Sequence, residues 1–228
     1  MPARDAAEWI GEAIESIRAQ TLGDWELISV DDGSTDATAR ILDDFRRRDA
    51  RVRVVSTGES DRGLVAALNR GLREVRGRYV ARMDADDVAH PDRFAEQDGA
   101  LGADASFAAV ACGVDGFPPQ AVGAGMQRYL AWQNALVTTD ELARDRFVES
   151  LVVAPSLTMR TELLREVLCG WQEHGWPEDW DLVLRAFEAG GCIARVPRVL
   201  HHWRQHPRQA TRNDARYGAD RLLCARAH

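Results

Sequence analysis

The sequence predicts an α/β fold in which a mostly parallel sheet is flanked by helices. Three observations predict it. Short apolar runs at residues 25–30, 52–56 and 79–83 have the length of buried strands. Segments with apolar side chains at helical spacing separate these runs. The 228 residues are also enough for one domain with a sizeable core. Strands that alternate with helices indicate βαβ units and parallel pairing.

The N-terminal segment departs from this alternation. Residues 1–5 are expected to form a loop, and Asp5 with Glu8 has the spacing of a capping box for a helix whose apolar face includes Ile10 and Ile14. A strand should precede that helix, so the first strand is apparently missing from the N-terminus. The neighbouring strands would then expose unpaired edges. We therefore expect an added upstream strand to increase solubility and stability.

The rest of the chain continues the pattern, with a looser middle. The other predicted helices cover residues 36–48, 63–75, 126–137, 139–147 and 180–189, with one more beginning at Pro91, and the other predicted strands cover residues 107–114, 192–196 and 198–203. Thr138 with Glu141 has the capping-box spacing. The last two strands are expected to form a β-pair around Pro197.

Composition excludes several classes of function. Acids outnumber bases by 36 to 29, and the net charge of −7 argues against nucleic-acid binding. The four cysteines form no Cys-x-x-Cys pair, which fits a reducing, cytoplasmic location. No apolar run approaches the ~18–20 residues of a membrane span. Lysine is absent, which excludes a P-loop lysine and a Schiff-base lysine.

Acidic residues cluster where predicted strands or helices end or begin. The three clusters are Asp31 with Asp32, Asp84 with Asp86 and Asp87, and Glu178 with Asp179. Carboxylates this close repel each other unless a cation neutralises them, so a hard divalent metal such as Mg²⁺ or Mn²⁺ is expected. Carboxylates can also accept hydrogen bonds from a base and a ribose. Together with a charge-assisted contact from Arg62, these features predict a nucleotide diphosphate site.

Four motifs in this order resemble family 2 glycosyltransferases of the GT-A (Rossmann-like) fold: Met1-Pro2-Ala3-Arg4-Asp5, Val30-Asp31-Asp32-Gly33-Ser34-Thr35-Asp36, Met83-Asp84-Ala85-Asp86-Asp87 with Pro91, and Pro177-Glu178-Asp179-Trp180-Asp181-Leu182 with Arg185. The resemblance runs from residue 1 to about residue 210. It implies a nucleotide-sugar donor, an Asp-x-Asp motif, and inversion at the anomeric carbon. Residues 1–100 would be the nucleotide-sugar-binding half, and residues 101–228 the acceptor-side half with an Arg/His-rich tail.

The resemblance also implies roles for single residues. Asp32, with Asp31 beside it, would read the donor base, and Asp84 would contact the ribose or the donor sugar. Asp86 would bind the metal, and Asp179 would be the general base. The full set of expected donor contacts is Pro2, Asp5, Asp31, Asp32, Arg62 and Asp84. A UDP-sugar is the favoured donor, and the acceptor is a glycan, a lipid-linked molecule or another hydroxyl, with peripheral contact to the cytoplasmic face of a membrane left open.

Other interpretations of the same residues stay open at this point. Asp84 and Asp86 also fit the nucleophile motif of haloacid-dehalogenase-like phosphatases, and the fold could serve as a non-catalytic nucleotide-binding module. Residues 31–36 could form only a turn and a helix cap, and the acids at residues 178–179 could only complement a helix dipole. The tail histidines, His201, His202 and His206, could supply a metal ligand or a phosphate contact, or be solvated.

Overall fold

The computed structural model describes residues 1–218, and its α/β architecture confirms the predicted fold class. The last ten residues of the predicted acceptor-side half, including Cys224, lie outside the described part. The strands are β1 (Pro2–Ala3), β2 (Leu27–Asp31), β3 (Val52–Ser56), β4 (Tyr79–Ala81), β5 (Val88–Ala89), β6 (Phe107–Phe117), β7 (Thr158–Arg160) and β8 (Cys192–Arg204).

Helices cover both sheets. They are α1 (Ile10–Arg18), α2 (Thr38–Arg48), α3 (Leu64–Glu74), α4 (Arg93–Ala103), α5 (Ala124–Ala135), α6 (Thr139–Asp145), α7 (Glu178–Glu188) and α8 (Ala210–Asn213). Short 3₁₀ turns lie at Pro119–Ala121, Ala154–Ser156 and Ala215–Tyr217, and a π-helical turn lies at Leu163–Val167. Among the described helices, none has both the length and the apolar character needed to cross a membrane.

The strands form two sheets. The first is fully parallel, in the order β1-β2-β3. The second, in the order β4-β7-β6-β8-β5, is mixed, because only β6 and β8 pair in parallel within it. One apolar core packs α1 and α2 against the first sheet, and another packs α3 and α7 against the second. The carboxyl ends of β2 and β4 therefore face the boundary between the two halves.

The predicted β-pair around Pro197 is wrong, because residues 192–204 form one continuous strand. β8 runs parallel to β6, with Cys112 opposite Val196 and Gly113 opposite Val199. Pro197 and its neighbour therefore bulge out of the ladder, which accommodates a residue that cannot donate a ladder hydrogen bond. Strand β8 thereby carries the tail histidines past β5 toward the site.

One of the two predicted capping boxes is present. Thr138 and Glu141 bond reciprocally at the start of α6, as predicted. The capping box at Asp5 is wrong, because α1 begins at Ile10 with no side-chain cap. Instead the Asp5 carboxylate accepts a hydrogen bond from the Thr35 backbone N–H at 2.7 Å. This contact ties the N-terminal loop to the loop that follows β2.

The position of the expected first strand is only partly filled. β1 pairs its two residues with Val30 and Asp31, which leaves the start of β2 without a partner on that side among the described strands. A cavity of about 600 Å³ lies there between β2 and β4, lined by apolar side chains that include Ile28, Leu68 and Val80. The sheet is therefore interrupted at the position where the sequence analysis expected a further strand.

The Met1 ammonium lies at this cavity and donates to the Ile28 carbonyl oxygen at 2.9 Å. Burial lowers the pKa of this ammonium from 8.0 to about 5. The folded state therefore binds fewer protons than the unfolded state between these two pH values. Stability from this group is present above about pH 8 and is lost as the pH falls toward about 5.

Lowering the pH from about 8 to about 5 is expected to destabilise this chain relative to a chain with a five-residue Gly-Ser extension before Met1. The extension moves the ammonium into solvent, so the difference in free energy of unfolding isolates this group. That difference is expected to change by at most about 4 kcal/mol over this range. Urea unfolding of both chains at several pH values measures it, and a constant difference would contradict the burial.

A five-residue extension of alternating valine and threonine is expected to melt at a higher temperature than the Gly-Ser extension. Both extensions remove the buried charge, but only the first can pair with β2 and place apolar side chains in the cavity. Thermal unfolding followed by circular dichroism compares the two. Equal melting temperatures would contradict the expectation that a further strand can pair with β2 at this cavity.

Candidate functional site

A cavity of about 940 Å³ opens at the carboxyl ends of β2 and β4 and at the start of α7. Pro2 and five carboxylates that the sequence analysis singled out lie in its lining: Asp5, Asp32, Asp84, Asp86 and Asp179. Open α/β sheets bind ligands at this end of their strands. The volume is within the range of sites that enclose a small ligand. The fold thus brings together acids that are up to 174 positions apart, from Asp5 to Asp179.

Asp32 lines this cavity and is almost fully buried. Its carboxylate accepts hydrogen bonds from the Thr57 hydroxyl at 2.8 Å and from the Gly63 backbone N–H at 3.0 Å. The exposed Arg4 guanidinium approaches it to 3.7 Å. Because these contacts fix its orientation, Asp32 is a preorganised acceptor at the wall of the cavity.

Asp31 and Arg62 lie beside the cavity and are not among its lining residues. The Asp31 carboxylate accepts from the Ser34 hydroxyl at 2.5 Å and holds the turn after β2. The Arg62 side chain packs over Gly33, where a Cβ would lie 2.7 Å from the guanidinium carbon. Gly33 also has a φ of +73°, which favours glycine. Both residues therefore shape the loop that presents Asp32.

The Asp-x-Asp segment follows β4 and contributes two carboxylates to the lining of the cavity. An oxygen of Asp84 lies 3.3 Å from Nε of Arg82, and an oxygen of Asp86 lies 2.8 Å from Nε2 of His206. Burial and the charge of Asp84 raise the pKa of Asp86. The His206 ring lies on Trp9, with 4.0 Å between the ring centroids.

The third acid of this segment has a different position. Asp87 is buried and bonds to Nε2 of His201 at 2.8 Å and to the Arg204 backbone N–H at 2.9 Å. Burial raises the pKa of Asp87 and lowers that of His201. His202 pairs instead with Asp115, away from the cavity. Of the three tail histidines in question, only His206 therefore reaches the cavity.

Few protein ligands converge on a single point. Within residues 1–218, no group of three His, Cys, Asp or Glu side chains has the arrangement of a complete metal site. Asp86 and His206 nevertheless offer an oxygen and a nitrogen that already lie close together. Mg²⁺ is often bound by one or two carboxylates, with substrate phosphates completing its coordination. The arrangement therefore fits a cation that binds together with a diphosphate.

Asp179 also lines the cavity and lies in the first turn of α7. One of its oxygens accepts from the backbone N–H of Trp180 at 2.8 Å. Burial and the charge of Glu178 raise the pKa of Asp179 to about 7, although Arg82 acts in the opposite direction. A carboxylate with a pKa near neutrality is suited to accept a proton from an incoming hydroxyl.

Sequence reasoning missed Arg82. This residue is buried and donates from a terminal nitrogen to Glu178 at 3.0 Å. A signal was present, because Arg82 is the one charged residue in the strand-like run at residues 79–83. A buried arginine needs a charged partner, and two acidic clusters were available.

The second half of the chain also contributes apolar side chains to the lining of the cavity. They include Met126, Tyr129, Val152, Pro155 and Trp203. Sequence reasoning found no functional landmark in the middle of the chain. The structure therefore adds apolar lining residues from this part of the chain to the carboxylates.

A model of the family described as glycosyl transferase family 2 matches residues 1–168. An uncharacterised glycosyltransferase of Haemophilus influenzae is 29% identical over 223 residues, which cover 92% of this chain and 65% of that protein. The O-antigen biosynthesis protein RfbC of Myxococcus xanthus is 31% identical over 206 residues, or 90% of this chain and 15% of that protein. The chain thus spans less than two thirds of the length of these relatives.

Solved structures share the fold at low sequence identity. Staphylococcus aureus TarS, solved with UDP-GlcNAc, has a TM-score of 0.72 and 19% identity over 90% of this chain and 57% of that chain. The mannosyltransferase PcManGT of Pyrobaculum calidifontis, solved with GDP-Man and Mn²⁺, has a TM-score of 0.68 and 21% identity over 88% of this chain and 54% of that chain. These likenesses confirm the GT-A fold. Because the family model matches most of its length, the chain belongs to glycosyltransferase family 2.

Proposed function

We propose that this chain is a metal-dependent, inverting glycosyltransferase that moves a sugar from a nucleotide diphosphate to a hydroxyl acceptor. The observation that carries the proposal is a single cavity that is lined by Asp32, by the Asp-x-Asp carboxylates Asp84 and Asp86, and by Asp179. Family membership supports it, as do the UDP-GlcNAc and GDP-Man complexes of TarS and PcManGT. A UDP-sugar is the favoured donor.

The donor would lie along the first half of the cavity. Asp32, held by Thr57 and Gly63, is oriented to accept from an N–H of the base. Pro2 and Asp5 also line the cavity. Asp84 lines the same cavity and can accept from a hydroxyl of the ribose or of the donor sugar. In this proposal the base lies at Asp32 and the donor sugar lies toward Asp179.

The diphosphate would lie near Asp86 and His206, which would hold a Mg²⁺ or Mn²⁺ ion. When bound, that ion supplies positive charge that stabilises the departing diphosphate. Arg208 also lines the cavity and stacks on Trp9, with 4.5 Å between its guanidinium carbon and the ring centroid. These cationic groups act where negative charge grows as the sugar leaves.

Asp179 would act as the general base. The acceptor hydroxyl oxygen attacks the anomeric carbon and passes its proton to Asp179, while the bond from that carbon to the diphosphate oxygen breaks on the opposite face. One displacement inverts the anomeric configuration and needs no protein nucleophile. Its raised pKa makes Asp179 a stronger base than an ordinary aspartate, while leaving it about half ionised near pH 7.

The alternatives from the sequence are not favoured. A haloacid-dehalogenase-like phosphatase would carry its Asp motif on the first strand, whereas Asp84 and Asp86 follow β4 here. Membership of glycosyltransferase family 2 also disfavours it. A non-catalytic binding module would not need a buried carboxylate with a pKa near neutrality, such as that of Asp179. The acceptor (a glycan, a lipid-linked molecule or another hydroxyl), a cytoplasmic location and peripheral membrane contact remain predictions.

Replacing Asp86 with asparagine (Asp86→Asn) is expected to remove the dependence of UDP binding on Mn²⁺. UDP affinity in the presence of Mn²⁺ should fall by at least about tenfold, because the cation loses its charged ligand. Affinity without metal should change little. Isothermal titration calorimetry of UDP, with and without Mn²⁺, measures both quantities.

The matched control is Asp98→Asn, which makes the same change on the exposed side of α4. This variant should bind UDP and Mn²⁺ as the unmodified chain does. The same Mn²⁺ dependence in both variants would overturn the assignment of Asp86.

Asp179→Asn is expected to reduce turnover by about 10²- to 10⁴-fold while leaving UDP affinity unchanged. Release of UDP from a UDP-sugar, with water in place of the acceptor, is the assay. In the unmodified chain, the rate should rise with pH through about 7, because Asp179 must be ionised to accept a proton. A rate that stays flat from about pH 6 to about pH 8 would contradict its role as the base.

A further inference from the structure

The donor side and the base side of the cavity are joined by one buried ion pair. The Arg82 guanidinium presents Nε to Asp84 at 3.3 Å and a terminal nitrogen to Glu178 at 3.0 Å. Arg82 is 8% exposed and Glu178 is 1% exposed. The pair spans 96 residues of sequence and connects the end of β4 to the start of α7.

The backbone around Arg82 is also fixed. Its N–H donates to the Leu157 carbonyl at 3.0 Å, and its carbonyl accepts from Arg93 at 2.9 Å. Glu178 has further contacts on its other oxygen, with the Tyr217 hydroxyl at 3.4 Å and Arg216 at 3.9 Å. The backbone that carries Arg82 is therefore held in place, and turning the Glu178 carboxylate away would break its contacts with Arg82, Tyr217 and Arg216.

We propose that the Arg82–Glu178 pair is a positioning element that couples the Asp-x-Asp segment to Asp179. Arg82 orients Asp84 on one side, and on the other side it holds Glu178, which fixes the turn that presents Asp179. The pair also places one positive and one negative charge beside Asp179, and these act on its protonation in opposite directions. The importance of Asp179 in this inference rests on the proposed function.

The effects of Arg82 and Glu178 on the pKa of Asp179 can be distinguished because they have opposite signs. Among the described residues, the titratable and charged groups that act on it or lie within the same network are Glu178, Arg82, Asp84, Tyr129, Glu149, Glu173, Asp214, Arg216 and Tyr217. The charge of Glu178 raises the pKa of Asp179, and that of Arg82 lowers it. Both tyrosines have pKa values raised by burial, so they stay neutral near pH 7. Replacing Arg82 and replacing Glu178 should therefore shift the pKa of Asp179 in opposite directions.

The test compares Arg82→Met with Glu178→Gln, two neutral replacements of similar size that break the same ion pair. The apparent pKa of Asp179 is measured by NMR of its ¹³C-labelled carboxyl carbon, which is assigned by its loss in Asp179→Asn. We expect Arg82→Met to raise this pKa by about one unit or more, and Glu178→Gln to lower it by a similar amount. Shifts in the same direction, or none, would mean that the pair only stabilises the fold and would overturn the inference.

A double variant, Arg82→Met with Glu178→Gln, keeps the test decisive if Arg82→Met alone does not fold. It leaves neither charge of the pair unpaired in the interior. Its Asp179 should titrate at a higher pH than that of Glu178→Gln alone, because the only further change is the loss of the positive charge. An equal or lower value would contradict the coupling.

Donor binding gives a second readout. Calorimetric UDP affinity with Mn²⁺ should fall more in Arg82→Met than in Glu178→Gln, because Arg82 contacts Asp84 directly, whereas Glu178 acts on Asp84 only through Arg82. Equal affinities in the two variants would overturn the donor half of the inference. The NMR titration needs no turnover, so it tests the coupling even where no UDP-sugar is consumed. Lack of turnover with intact coupling would count against the proposed function alone.

Discussion

Repulsion among carboxylates held in one cavity is the constraint on which this site depends. Asp84 and Asp86 lie near each other, and Glu178 lies beside Asp179. Burial strengthens the repulsion, because each charge loses the screening of water. The chain offsets it with side chains from distant segments, because the Arg82 guanidinium lies between two acidic clusters and the His206 ring hydrogen-bonds to Asp86. The remaining negative charge and the raised pKa of Asp86 suit a site that is completed by a metal ion and a diphosphate.

The path of the chain brings distant segments together beside these carboxylates. Strand β8 runs the length of β6, and the residues at and after its end reach the segment just before α1, where Arg208 pairs with Glu8 at 2.5 Å and His206 lies on Trp9. The N-terminal loop is tied to the loop after β2, where Asp5 accepts from Thr35. The donor side is therefore built by contacts between the two ends of the described chain. Changes far from Asp86 in sequence can consequently affect how it is held.

Sequence reasoning recovered the class of the fold and most of the acids of the site, because both depend on local patterns. Alternating apolar runs fix the elements, and carboxylates after strand ends are placed by parallel pairing. It missed what depends on long-range pairing. Arg82 became interpretable only once Glu178 lay beside it, and β8 was misjudged because a bulge opposite Gly113 accommodates Pro197 within one strand. The Asp5 cap failed because Thr35, 30 residues away, provides a better donor.

The most direct test of the account is a crystal structure of this chain with UDP and Mn²⁺. We expect the base at Asp32, the Mn²⁺ ion between the diphosphate and the Asp86 carboxylate, and the Asp179 carboxylate facing the open space beyond the terminal phosphate. In that arrangement a donor sugar would lie between the metal and the base. Nucleotide bound outside this cavity, or Mn²⁺ bound without Asp86, would contradict the account.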